Sequence, residues 1–245
     1  MNINNKLGFT EAVEAMRNQE QRMNQVSNNL ANVNTVGYKK QDNTFWEMLV
    51  TRAGEPHRVG KTLQETTDFS PGPLQQTGNN FDLAIGGRGF FRIQTPEGVR
   101  YTRAGDFQLN NQGQLVTPNG HLLLGEGGTV VIEPDAENVV ITRDGGVWVD
   151  GRFANRITVA DFNELDDLEK QGGNLFRIRE GGGAEIEAAG FSINQGFLES
   201  SNVNSTEEMV DMIELYRIYE SQQRAITTID SINGQAVRSV GKLTP

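Results

Sequence analysis

The residues with the strongest claim to chemistry in this sequence lie in Gly54-Glu55-Pro56-His57-Arg58-Val59-Gly60-Lys61-Thr62, which approximates a phosphate-binding loop. Such a loop needs four residues between its first glycine and Gly-Lys-Ser/Thr, so that successive N–H groups curl around the phosphates. Here five intervene, Pro56 removes one N–H, and no helical stripe follows Thr62, so the segment reads as a basic loop. Gly86-Gly87-Arg88-Gly89 lacks the helix and later acid of a dinucleotide site and reads as a turn. His57 and His121 are the only histidines, there is no cysteine, and no carboxylates stand at ligand spacing around them. The carboxylates from Asp161 to Glu169 could supply an acid–base pair only if one sat in an apolar pocket, whereas a charge run is ordinarily a solvated face. The expectation is no catalytic residue, no metal, no cofactor and no enzymatic activity.

A chain of 245 residues allows one or two domains, and 28 glycines with 36% hydrophobic residues favour a turn-rich β body. The net charge of −10 opposes a phosphate backbone, which excludes nucleic acid as an expected partner. Without cysteine there are no disulfides or thiolates. No run approaches the roughly 18 apolar residues of a membrane span, and the start MNINNKLGFTEAVEAM lacks a basic stretch followed by an apolar one. Neither membrane insertion nor a cleaved signal is expected.

The elements that must position any functional side chain divide into three zones. Phe9, Ala12, Val13, Met16, Met23, Val26, Leu30 and Val33 recur at three- and four-residue spacing, which predicts one long helix ending near Thr35 and Gly37. At the far end, Ser205 and Glu208 have capping-box spacing, and Met209, Met212, Ile213, Tyr216, Tyr219, Ile226, Ile229 and Val240 predict a second helix. Gln223, Asp230 and Asn233 interrupt that stripe, making it a weak seam alone and a better one when neighbours share the burial. From Thr66 to Gln195 short β-branched and aromatic segments alternate with the hairpin dipeptides Asn119-Gly120, Asp144-Gly145 and Asp150-Gly151. Glu164 to Lys170 and Gly181 to Gly183 read as surface loops. The expected fold is therefore α+β, with long N- and C-terminal helices packed as a coiled-coil-like pair and a central all-β body. Residues 1–37 and 200–245 would form the helical domain, 38–65 an extended connection, and 66–199 the body.

Four stretches carry a resemblance. SNNLANVNTVGYKKQ (Ser27 to Gln41), GNNFDLAIGGRGFFRI (Gly78 to Ile93), YTRAGDFQLNNQGQLVTPNGHLLLG (Tyr101 to Gly125) and GFLESSNVNSTEEMVDMIELYRIYE (Gly196 to Glu220) resemble, in that order, the axial rod and hook proteins of the bacterial flagellum. The resemblance implies paired terminal helices in an inner tubular layer, an outer β domain, and a non-enzymatic subunit of the basal-body rod. It implies copies of this chain and other rod subunits as partners, and export through the flagellar type III apparatus without signal cleavage. The absence of room for outer domains and the compact Phe45 to Leu83 stretch imply a proximal rod subunit, with the distal type as the alternative. The implied axial interface is Phe9, Val13, Met16, Met23, Val26, Asn28, Asn29, Leu30, Asn32, Val33, Met209, Met212, Ile213, Tyr216, Tyr219, Ile226 and Ile229. The asparagines would supply amide donors and acceptors beside the apolar positions. Two readings from other classes make distinct demands. A carbohydrate- or surface-binding β domain needs an exposed aromatic platform, for which Trp148 and Phe153 are candidates; a peptidoglycan hydrolase needs carboxylates converging in a cleft.

Overall fold

The computed structural model describes the backbone of residues 3–52, 55–133 and 136–240, with side chains over 13–43, 65–133, 136–228 and 231. Helix α1 spans Ile3–Ala31 and helix α2 spans Ser205–Val240. Both are proline-free with apolar residues at helical spacing, as a one-sided helix requires. The cap of α2 is Asn204, whose Oδ1 accepts the Thr206 N–H at 3.1 Å. Glu208 is buried and accepts the Asn29 amide at 3.2 Å.

Most of residues 38–65, read from sequence as an extended connection, falls in the strands Gln41–Arg52 and Glu55–Thr67, which pair with each other. The phosphate-loop-like residues 55–62 thus lie within a strand, not between a strand and a helix. α1, this strand pair and α2 make one compact unit, and residues 32–40 with 67–203 make a second.

The second unit is the β body, and every strand register recorded in it is antiparallel. Its largest sheet runs Leu168–Gly172, Leu175–Ile178, Gly98–Thr102, Phe90–Thr95, Leu122–Gly125, Leu115–Val116, Gln108–Leu109. A three-stranded sheet, Val139–Ile141, Gly146–Val149 and Arg152–Arg156, lies apart from it in hydrogen bonding. Its strands are joined by the two dipeptides with the right turn chemistry: Asp150 and Gly151 both take positive φ between the paired Val149 and Arg152. One core gathers Leu83, Phe91, Ile93, Phe107, Leu123, Val147 and Ile157; a second gathers Phe90, Tyr101, Phe162 and Phe176, with Tyr101 and Phe162 edge to face at 4.8 Å. Each such side chain contributes about 1.5–3 kcal/mol by leaving water, which holds the body without disulfides.

The expected fold class is corrected in its helical part. A coiled coil needs a continuous apolar seam, and the described residues of α1 and α2 do not make one. Met209, Ile213 and Tyr216, read as seam positions, are exposed, while the buried positions among the described residues of α2 are Glu208 and Leu215. Polar side chains bridge the helices: Gln19 Nε2 donates to the Leu215 carbonyl at 3.0 Å, and Asn29 Nδ2 to Glu208. The protein has one helix at each end and a body of many antiparallel strands, with no long coiled-coil-like pair.

Candidate assembly interface

The residues assigned to assembly fall into three groups. Val26 and Asn29 are buried; Met16, Met23, Leu30, Asn32, Val33, Met212, Tyr219 and Ile226 are half-buried; Val13, Asn28, Met209, Ile213 and Tyr216 are exposed. The side chains of Phe9 and Ile229 lie outside the described residues. The buried asparagine works on backbone: Asn29 Nδ2 donates to the Gln41 carbonyl at 2.9 Å, and its Oδ1 accepts the Gln41 N–H at 3.0 Å. Gln25 Nε2 donates to the same carbonyl. α1 is thereby stitched to the first residue of the strand that follows it. The amide does so because its donor and acceptor match a peptide unit's.

Three of the exposed residues make a coherent stripe on α2. Met209, Ile213 and Tyr216 follow one another at i, i+4 and i+7 on α2, and are 51%, 55% and 54% exposed.

Sequence reading missed the site where the chain enters and leaves the β body. Lys39, eight residues after α1, places Nζ 2.6 Å from Glu199 Oε1 and 2.6 Å from the Ser70 carbonyl. Arg103 Nη1 lies 3.2 Å from Glu199 Oε2, its guanidinium also donates to the Ile85 and Gly87 carbonyls, and the Gly72 N–H donates to Glu199 Oε1. The Lys39 and Glu199 side chains are 0% and 1% exposed. Two cations thus share one carboxylate in the interior, tying the segment that precedes the body to the one that follows it. Gly37, just before Lys39, has φ +64°, and a Cβ there would lie 2.3 Å from the Ala104 nitrogen, so only glycine lets the chain pass. The signal available in sequence was a lysine directly after the Gly-Tyr near the end of the first resembling stretch.

Burial pushes the Lys39 ammonium below its ordinary value of 10.5, against the opposing attraction of Glu199; burial likewise lowers Arg103. Between the folded value of Lys39 and 10.5, the unfolded chain binds more protons, so stability from this group rises with pH across that window. Compared by urea unfolding at about pH 8 and about pH 10, the wild-type protein should gain on Lys39→Met as pH rises. The opposite drift would mean that the attraction of Glu199 outweighs burial.

The other chemistry read from sequence is dispersed. Asp161 pairs with Arg88, Glu169 with Arg177, and Asp167 accepts the Gly183 N–H. A cleft of about 490 Å³ does gather Glu126, Asp144, Glu185 and Glu187, but Arg92 sits 3.2 Å from Glu185 and Arg156 3.2 Å from Asp144, so two of the four are ion-paired. Among the described residues no group of three or more His, Cys, Asp and Glu is placed to hold a metal, and no helix is long and apolar enough to cross a membrane. Trp148 and Phe153 are exposed and stand edge to face.

Comparison with known proteins draws these features together. Residues 11–39 match the family model described as flagella basal body rod protein, 84–149 the flagellar hook protein FlgE/F/G D1 domain, and 194–239 the flagellar basal body rod FlgEFG protein C-terminal region. The chain is 36% identical over 247 residues to the flagellar basal-body rod protein FlgG of Bacillus subtilis, covering 90% of this chain and 94% of that one. It is 35% identical over 231 residues to FlgF of Caulobacter vibrioides, covering 89% and 91%. FlgG of Buchnera aphidicola from Schizaphis graminum matches at 34% over 242 residues, covering 87% and 92%.

Proposed function

Since this chain belongs to the flagellar basal-body rod family of FlgE, FlgF and FlgG, we propose that it builds the rod through the terminal helices. The chain is a structural subunit of the basal-body rod, serving motility and assembling with other rod subunits. What supports the helical mechanism is the stripe Met209, Ile213 and Tyr216, exposed on α2 at helical spacing. In a rod, neighbouring subunits remove that stripe from water, and each side chain so buried contributes about 1.5–3 kcal/mol in every copy. The same interface takes in the half-buried Met16, Met23, Leu30, Asn32, Val33, Met212, Tyr219 and Ile226 and the exposed Val13 and Asn28, with Phe9 and Ile229, while Val26 and Asn29 are buried within the subunit.

The subunit acts without catalysis, without a cofactor, without nucleic acid and without inserting in a membrane, and it leaves the cytoplasm through the flagellar type III export apparatus. Its place in the rod is the proximal, FlgF-type position, with the distal, FlgG-type position as the alternative. The support for the proximal place is that residues 41–67, which follow α1, are taken up by one pair of strands.

The test is deletion and complementation. Cells lacking this chain should be non-motile and rescued by the full-length protein, which should co-purify with basal bodies at its full translated mass. A chain ending before Ser205 should not rescue. A tag within the body, located by electron microscopy of basal bodies, should label the proximal rod; distal label selects the alternative. Motile cells without the chain, or its absence from basal bodies, would end the reading.

A further inference from the structure

Lys39 and Arg103 are cations placed in the interior of the β body by early parts of the chain, and the carboxylate that neutralises them comes last. Arg103 directly follows the strand Gly98–Thr102, which pairs with Phe90–Thr95. Its guanidinium lies 5.3 Å from the centre of the Phe90 ring and donates to the Ile85 and Gly87 carbonyls. Docking that strand pair against Leu83–Gly86 therefore takes the charge out of water. Lys39 repels Arg103, and the other carboxylates that face the two cations are Asp68, toward Lys39, and Asp161, toward Arg103. Both are already engaged: Asp161 pairs with Arg88, and the Asp68 carboxylate accepts the Ser70 N–H and hydroxyl at 2.8 and 2.9 Å.

Glu199 stands 160 residues after Lys39 and 96 after Arg103. It belongs to the final strands of the body, in which Ser192–Gln195 pairs with Leu83–Gly86 and Phe197–Glu199 with Leu74–Gln76. Main-chain bonds close around it, from the Gly37 N–H to the Glu199 carbonyl at 2.7 Å and from the Ser200 N–H to the Pro73 carbonyl at 2.9 Å. Burying one cation without a counter-charge is strongly unfavourable, and here there are two. The early strands thus cannot reach their native packing cheaply on their own, and the contact that relieves them spans most of the chain, which makes it slow to form.

We propose that the Lys39, Glu199 and Arg103 cluster is a folding gate: the β body stays open until Glu199 docks, and that docking belongs to the rate-limiting step. A chain made from its N-terminus then stays unfolded through the body until its last strand is available. This keeps the chain in a form suited to export, a use that rests on the type III export reading above.

The experiment follows refolding and unfolding of the full-length protein by stopped-flow circular dichroism after urea jumps at neutral pH. Glu199→Gln, which keeps the shape of the side chain and removes its charge, should refold about tenfold or more slowly while unfolding changes less than about threefold. Adding Lys39→Met and Arg103→Met should return refolding to within about threefold of wild type, a recovery that lost packing at residue 199 would not allow. Pulse-labelled hydrogen exchange tests the wild-type chain without any substitution. The amides of Gly37 and Gly72, which donate to Glu199, should become protected in the same phase as those of Phe90–Thr95. Earlier protection of Phe90–Thr95, or a Glu199→Gln effect confined to unfolding, would overturn the gate. In cells the three-substitution variant should be exported less than wild type, and equal export would overturn the gate's use. A gate upheld by the kinetics in a chain whose wild type never leaves the cytoplasm would refute the export reading and leave the gate standing.

Discussion

Glu199→Ala is expected to destabilise the β body by about 3–5 kcal/mol, the range for removing one partner of a buried ion cluster. The substitution takes from Lys39 and Arg103, whose side chains are 0% and 6% exposed, the carboxylate they share, leaving only the more distant Asp68 and Asp161, and takes the acceptor from the Gly72 N–H. Because two cations already share one carboxylate, the loss is asymmetric. Lys39→Met removes one of the cations and leaves Arg103 and Glu199 as a one-to-one pair, and the Ser70 carbonyl keeps the Asn202 amide at 3.2 Å, so its cost should stay below about 2 kcal/mol. Equilibrium urea unfolding of the full chain at neutral pH, followed by circular dichroism, gives both values. An ordering in which Lys39→Met is the more damaging would show that the lysine's packing, and not charge balance, is what the cluster supplies.

Ile213→Asp should abolish incorporation into basal bodies while leaving the free subunit as stable as wild type. Ile213 is 55% exposed, so in the monomer the change falls on open surface, where substitutions ordinarily stay within about 0.5 kcal/mol. In the rod the same side chain would lose about 1.5–3 kcal/mol of burial and place a carboxylate against apolar surface, at several kcal/mol more. A combined loss of about 5 kcal/mol weakens each contact by more than a thousandfold. Leu30→Asp is a less clean probe, because Leu30 is half-buried within the subunit and its loss would disturb α1 itself. Asp166→Asn, on the exposed acidic loop, is the matched control and should do neither. Motile cells with normal rods carrying Ile213→Asp would reject assembly through this face of α2. A fall in subunit stability as large as the assembly defect would show that the stripe is part of the folded unit and not reserved for neighbours.

Taken by itself, the sequence determined what depends on near neighbours along the chain. The positive φ of Asp150 and Gly151 follows from residue type, because aspartate and glycine tolerate that conformation where others clash. A helix at each end follows from apolar spacing, and the rod family was legible because its words are contiguous, from Ser27 to Gln41 and from Gly196 to Glu220. The tertiary structure alone decided which helical face is covered. Periodicity picked the most apolar stripe, Met209, Ile213 and Tyr216, for contact with a partner, whereas within the subunit the polar Gln19, Asn29 and Glu208 bury alongside Val26 and Leu215, satisfied by one another and by the backbone of Leu215 and Gln41. Hydrophobicity along one helix cannot report that compensation, because the partner of a buried amide lies 179 or 196 residues away. The ion cluster escaped for the same reason. Glu199 stands 160 residues from Lys39 and 96 from Arg103, and three charged residues so far apart read as solvated until the fold brings them together out of water.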